Sequence, residues 1–392
     1  MMSMTTNSNK TAFGYFPWVI MILMSSVTFV GILSELMPSG VLPQIMADLG
    51  INEIQGGNLV GYYAIASAIF AIPLIAATIR FNRKTLLLIL LVGFSISNII
   101  AGLVHNYYLI IGMRLIGGIC AGVMWPMIAA FGMRLVEPNN HGKAVAVIMA
   151  GNTLGISLGM PVMTYLGNTF GWRNEFIILG VVIAVIGVFS LFMLPSTPGE
   201  KLTSSTSPFA VLKNKGVLMI LLLTLLGVCA HYGVYIYITN LVFDVELVGG
   251  IEAALIMFGI GSLISVLLAV KYTDKYLQQL TVLMFILLAL SMALFLIFKG
   301  MPGVSHFAFF LWGLSFGPLV TLFQAAVGRQ VDRAKDVATS VQSSTFNFAI
   351  MIATSLGGVA LINFSALSLP VLAIMLAIPG IIISFLAKRT LK

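Results

Sequence analysis

Apolar residues gather along this chain into long runs separated by short polar stretches. Twelve runs are long enough to cross a lipid bilayer, which takes about 20 mostly apolar residues in a helix. They cover residues 17–39, 54–78, 85–104, 107–131, 143–166, 175–194, 216–241, 250–270, 279–298, 304–328, 337–361 and 367–387, numbered here as spans 1 to 12. The first follows a tail with a single basic residue, Lys10. It is too long for the core of a secretory signal and lacks a convincing cleavage site, so it is expected to remain as a helix. The longest polar stretch, 195–215, holds Pro195, Pro198, Pro208 and the Thr-Ser-Ser-Thr-Ser run at 203–207, the composition of a flexible tether. It predicts an all-α membrane protein of two six-helix halves, 1–194 and 216–392, joined by a linker. A faint echo supports duplication: Arg-Phe-Asn-Arg-Lys follows span 2 and Asp-Lys-Tyr-Leu-Gln follows span 8.

Composition agrees with a lipid environment. Of 392 residues, 59% are hydrophobic and only 8% charged, against roughly 25% charged in soluble domains. A net charge of +8 would suit nucleic acid, but the basic residues form short clusters between apolar runs and act as topology signals instead. With the amino terminus inside, 17 of the 20 Lys and Arg residues fall on the cytoplasmic side; only Arg173 and Lys299 lie outside, and Arg114 is within a span. That bias places both termini in the cytoplasm. Cys120 and Cys229 lie inside apolar runs with no metal-ligand spacing and no disulfide framework, so neither a metal nor another cofactor is expected.

Ionisable groups inside a bilayer are rare and costly. Three stand clearly within spans: Glu35 in span 1, Arg114 in span 4 and His231 in span 7. If each half is a pair of three-helix repeats, these are the first helices of successive repeats and line a common cavity. At about 1.5 Å per residue, all three belong to the outer half of the membrane. Glu35 facing Arg114 reads as a proton switch, and His231 titrates near physiological pH without much tuning. The plainer alternatives are an interfacial carboxylate with Arg114 as its structural partner, and a neutral hydrogen-bonded histidine with Tyr235 one turn away.

In span 5, Gly151, Gly155 and Gly159 recur every fourth residue, a stripe that admits another helix closely, and Pro161 weakens or kinks that helix. Span 11 carries Ser340, Gln342, Ser343, Ser344, Thr345 and Asn347; these face a cavity or bond a partner helix. Tyr62, Tyr63, Trp125, Asn152, Tyr232, Tyr235, Gln324 and Asn347 complete a candidate binding chamber, although interfacial aromatics occur in any membrane protein.

These residues fall into recognisable motifs. Arg114-Leu-Ile-Gly-Gly118-Ile-Cys-Ala-Gly122, Gly151 to Pro161, Phe170-Gly-Trp-Arg-Asn-Glu-Phe176, Ser34-Glu35-Leu-Met-Pro-Ser-Gly and Ala230-His231-Tyr232-Gly-Val-Tyr235 together resemble the drug:proton antiporter group of the major facilitator superfamily. Within it, the chain is similar to bacterial exporters of sugars, purines and ribonucleosides. The resemblance covers nearly the whole chain. It implies proton coupling at Glu35, Arg114 and His231, a small organic solute as substrate, a monomer, and the bacterial cytoplasmic membrane as location. Two departures stand out. The loop after span 2 usually reads Asp-Arg-x-Gly-Arg-Lys, whereas Ile79-Arg80-Phe-Asn82-Arg83-Lys84 lacks the Asp and the Gly; Asp274-Lys275 keeps a partial version of that cytoplasmic lock. Span 5 has Gly159-Met160-Pro161 where many antiporters have adjacent Gly-Pro. Inward proton symport and a non-transporting receptor are the competing functions. A membrane-embedded enzyme would need a nucleophile with a base, or a metal cluster, and the spans offer neither.

Overall fold

The computed structural model describes residues 17–78, 80–137, 141–199, 212–301, 303–330, 335–387 and 390–391. Every regular element among them is helical. The first six spans are built from α1 (Trp18–Leu36), a 3₁₀ turn (Met37–Gly40), α2 (Leu42–Leu49), α3 (Glu53–Thr78), α4 (Arg83–Leu103), α5 (Tyr107–Met133), α6 (His141–Leu154), a π turn (Gly155–Gly159), α7 (Met160–Phe170) and α8 (Trp172–Met193). The last six comprise α9 (Lys215–Tyr235), α10 (Ile238–Asp244), α11 (Gly250–Ile297), α12 (Val304–Phe316), α13 (Leu319–Arg329), α14 (Lys335–Asn363) and α15 (Ser368–Leu386). Ten segments among the described residues are long and apolar enough to cross a membrane. Span 2 is the 26-residue α3, and span 10 is the pair α12 and α13, interrupted at Gly317-Pro318.

Local sequence explains the starts and breaks. Asn82, Asn106 and Asn214 cap α4, α5 and α9, each side chain accepting hydrogen bonds from two backbone N–H groups of the first turn. Pro38 ends α1 because it offers no N–H to the preceding turn. In span 5 the helix widens to a π turn at Gly155–Gly159, just ahead of Pro161. Such a bulge absorbs the bond that a proline removes. Spans 8 and 9 are two helices within α11 that meet at a kink at Tyr276, whose φ of −129° and ψ of 32° are not helical, inside the stretch where the sequence predicts a connection.

Close packing follows the small residues. A side chain at Gly118 would run into the Tyr63 backbone, and one at Gly122 into that of Ser67, so α5 lies directly on α3. Gly151, Gly155 and Gly159 bring span 5 against Ser25, Phe29 and Leu33 of α1. Outside, large apolar side chains such as Ile89, Val92 and Ile96 of α4, and Val185, Phe189 and Phe192 of α8, stand exposed. In water such a surface would drive association; in a bilayer it is the solvated face. The chain is a multi-pass membrane protein.

An even number of spans brings both ends of the described chain to one side, here the terminal end; residues 37–53 and 236–250 mark the distal end. The distal seam between the first and last six spans is closed. There α3 packs along α14, and Gly57 and Gly358 both lie against the Tyr237 ring. The Tyr237 hydroxyl donates to the Thr354 carbonyl at 2.7 Å, with the Glu53 carbonyl also within 3.1 Å. A polar chain crosses the same seam: Gln44 Nε2 donates to Asn168 Oδ1 at 2.7 Å, and Asn168 Nδ2 to Glu252 Oε1 at 2.6 Å. At the terminal end the start of the linker is tied down. The Arg83 N–H donates to Thr197 O, Asn82 Nδ2 to Ser196 Oγ, and Arg134 Nη1 to Pro198 O.

Candidate functional site

Two clusters gather most of the residues singled out for proton coupling and for the binding chamber. The first surrounds Arg114, which is buried two turns into α5. The last carbonyls of any helix lack intrahelical partners. For Ser34 the loss is specific, since its acceptor would pair with the N–H of residue 38, and residue 38 is proline. Arg114 fills that gap. Its Nη1 donates to Ser34 O, its Nη2 to Glu35 O at 2.8 Å, and its Nε to Leu59 O at 2.6 Å. The guanidinium lies over the Tyr63 ring, 4.4 Å from the centroid, close enough for cation–π attraction. A positive charge at the C-terminus of α1 also complements the helix dipole. Arg114 therefore fastens α1, α3 and α5 at one point.

The sequence leads one to expect a guanidinium holding the Glu35 carboxylate. Among the described residues, its hydrogen bonds end on backbone carbonyls instead. Glu35 is only 5% exposed, so its carboxyl group sits beside the clamp without being gripped by it. Next to it, Asn98 Nδ2 donates to Ser34 Oγ at 2.9 Å and to Phe94 O at 2.9 Å, bringing α4 into the same corner.

The second cluster lies within the last six spans. The His231 ring is stacked on Phe316 at a centroid separation of 3.5 Å and on Tyr235 at 5.2 Å, with Tyr232, Phe258 and Trp312 also within 5.6 Å. His231 Nδ1, Tyr235 Oη and Trp312 Nε1 are buried and have no hydrogen-bond partner among the described residues. Three unpartnered polar atoms inside an aromatic cage form a site with hydrogen-bonding capacity to spare. Tyr232 extends the cage to Phe346 on α14, beside the half-buried Asn347. Asn347 Nδ2 is turned back onto Ser343 O at 3.0 Å. No hydrogen bond or ion pair among the described residues links this cage to the Arg114 clamp.

The remaining candidates are scattered. Trp125 is half-buried against α1 at Gly31. Asn152 is half-buried, with its side-chain oxygen unpartnered among the described residues. Gln324 is exposed on α13 and Arg80 is exposed at the terminal end. Arg83 is buried at the start of α4. Asp274 is on α11, but its side chain falls outside the described residues. Sequence reasoning missed Trp312, Phe258 and Phe316, which read as ordinary apolar residues. It also counted too few ionisable groups: Glu175 lies in the first turn of α8, fully buried, because the helix begins at Trp172 and not at 175.

Comparison with known proteins adds a family. A family model described as the Major Facilitator Superfamily matches residues 24–354. A protein of Mannheimia succiniciproducens named "probable sugar efflux transporter" is 26% identical over 348 residues, covering 87% of this chain and 85% of that protein. A Pseudomonas aeruginosa protein named transcription regulatory protein OpdE is 28% identical, covering 90% and 89%. A chloramphenicol efflux pump of Mycobacterium tuberculosis is 24% identical, covering 91% and 90%. Among solved structures, a variant of the nucleoside transporter NupG superposes with a TM-score of 0.74 at 15% identity, covering 95% of this chain and 99% of that one. At that identity the likeness is one of fold.

Proposed function

The chain belongs to the Major Facilitator Superfamily, and from that premise we propose that this transporter exports a small organic solute in exchange for protons. The observation that carries the reading is the Arg114 clamp. It ties α5 to the broken end of α1 and leaves the adjacent Glu35 carboxyl buried but not bonded to the guanidinium. Such a carboxyl is free to bind and release a proton as its surroundings change. The names of two relatives, a sugar efflux transporter and a chloramphenicol efflux pump, support the outward direction.

In this reading the first and last six spans are two bodies joined by the 195–215 linker. The solute binds between them and meets Trp125, Asn152, His231, Tyr232, Tyr235, Gln324 and Asn347, with Tyr63 closing the floor. The bodies rock about this seam, opening alternately to either side. The glycine stripe and Pro161 give span 5 its bend. Arg80, Arg83 and Asp274 belong to the gate at the terminal end, which is cytoplasmic in the bacterial inner membrane. Few charges line the chamber, so the solute is neutral or weakly ionic: a nucleoside, purine, sugar or neutral antibiotic. Each proton that enters contributes about 2.3 kcal/mol per 100 mV, besides the pH gradient.

The test is solute flux in proteoliposomes under an imposed pH gradient. The parent protein is expected to drive outward-type exchange, and Glu35→Gln to lose the gradient-driven part while remaining folded. Gradient-driven flux at the parental rate in that variant removes Glu35 from the coupling. A second reading, a membrane sensor that moves no solute, is favoured by the regulatory name of the Pseudomonas relative. It predicts solute binding without flux in the same vesicles.

A further inference from the structure

Glu175 is the second buried carboxyl of the first six spans, and the proposed exchange cycle makes no use of it. Its side chain is 0% exposed, and neither carboxylate oxygen has a hydrogen-bond partner among the described residues. It stands in the first turn of α8, pointing at α7 and at the segment that follows the break in α1. A side chain at Gly167 would collide with Glu175 Oε2 and would meet Val41 Cγ1 at 2.6 Å. The carboxyl is thus pressed against the Gly167 backbone under the Val41 methyl. Two fully buried hydroxyls without partners among the described residues belong to the same junction, Ser39 Oγ and Thr164 Oγ1; Thr164 is one turn from Gly167 and abuts Gly40.

Among the described residues, no charge faces this carboxyl. Arg173, on its own helix, is engaged with Asp48 Oδ2 at 2.8 Å and with Val104 O. Asp48, from α2, accepts that bond and one from Trp172 Nε1. Glu252 of α11 ends on Asn168, and Glu35 belongs to the Arg114 corner. α7 itself carries no charged residue, only Tyr165, which is exposed. An ionised carboxylate in this position would be buried and uncompensated, the arrangement that proteins avoid. The carbon atoms of Gly167 and Val41 crowd the carboxyl, and the two hydroxyls of the junction add no negative charge, so Glu175 is the one anionic group there among the described residues. A proton is the ligand that fits.

We propose that Glu175 is a second proton-binding site, separate from Glu35, which holds its proton while the Met37–Leu49 segment covers it and releases it when that segment moves. The cover is placed to report on the seam. The 3₁₀ turn and α2 shield Glu175 on one side and pack against α10 of the last six spans on the other. Gln44 of α2 also starts the polar chain that crosses to Glu252. Opening the distal seam removes α10 from this cover, so proton release at Glu175 and distal opening favour each other. The step is a simple dissociation: the O–H bond of the carboxyl breaks, water takes the proton, and the carboxylate keeps the electron pair.

Infrared spectroscopy of the purified full chain tests this without any transport assay, so it stands apart from the flux test of Glu35. In the Glu35→Gln background at neutral pH, the carbonyl band of a neutral buried carboxyl is expected and should disappear on adding Glu175→Gln. Cysteine labelling of Asn240→Cys, at the distal seam, should rise with pH as that band falls, by more than thiolate formation alone accounts for, and should keep only that thiolate dependence once Glu175→Gln is present. If the double variant does not fold, Glu175→Asp must shift the band. Absence of the band in the Glu35→Gln protein, or a band insensitive to both Glu175 substitutions, overturns the proposal. Loss of the band on adding sodium at constant pH also overturns it, since a metal cation would then be the ligand.

Discussion

Arg114 brings one positive charge into the region that lipid surrounds, and it meets backbone instead of a carboxylate. Three directed donors reach carbonyls of residues 34, 35 and 59, a task for a planar fork and not for a point charge. Arg114→Lys keeps the charge but gathers its donors on one nitrogen, which cannot reach the carbonyls of α1 and the Leu59 carbonyl of α3 together. Hydrogen bonds to charged groups contribute about 1.5–3 kcal/mol each, so this variant is expected to melt well below the parent, with the loss visible even without solute. An unchanged melting temperature would mean that charge alone holds the corner. The sequence made Arg114 conspicuous because an arginine inside an apolar run is costly. It did not disclose the acceptors, since those depend on Pro38 leaving the Ser34 carbonyl without its helical partner. Glu175 was hidden for a related reason: placed at the edge of its span it reads as solvated, and only the chain folding back over it, through Val41, makes it buried.

At the scale of helices, hydrophobic run length located the spans well, because a bilayer imposes both a minimum length and an apolar surface. Breaks inside spans were harder to see. The π turn ahead of Pro161 and the division at Gly317-Pro318 each depend on which neighbour takes up a displaced backbone group. Glycines divide in the same way between those that touch another helix and those that do not. Gly118 lies on the Tyr63 backbone, whereas a side chain starting at Gly112, six residues earlier on α5, would meet nothing within 4 Å. Gly118→Val should therefore force α3 and α5 apart, a loss of about 1–3 kcal/mol or more, seen as poor yield and a lowered melting temperature. Gly112→Ala should be neutral or stabilising by about 0.5–1 kcal/mol, the usual gain for replacing glycine within a helix. Equal effects of the two would show that α5 does not lie directly on α3.

For the molecule as a whole, the consequential feature is the closed distal seam. A carrier that alternates must break the contacts of α3 with α14 and of Tyr237 with Thr354 once in every cycle. Those contacts join close helix packing at Gly57, Gly61 and Gly358 to single hydrogen bonds of about 0.5–1.5 kcal/mol net each, so opening the seam exposes a packed surface and breaks only a few polar links. A side chain placed on Gly358 would stand 3.1 Å from the Ile54 Cα and 2.7 Å from the Tyr237 hydroxyl, so the two backbones are near enough for a bridge once the Tyr237 side chain shifts aside. The native Cys120 and Cys229 are buried and are poorly placed to compete for oxidation. The pair Ile54→Cys and Gly358→Cys should therefore form a bridge between the first and last six spans under mild oxidation. With the bridge formed, the distal end cannot open; flux in proteoliposomes should fall close to the background of empty vesicles, and a reducing agent should restore it. Solute binding from the terminal end should survive oxidation, because the bridge fixes the closed-seam conformation and leaves the chamber intact. Full flux in the bridged protein would mean that solute moves without opening this seam, and the alternating scheme would have to be abandoned for this chain.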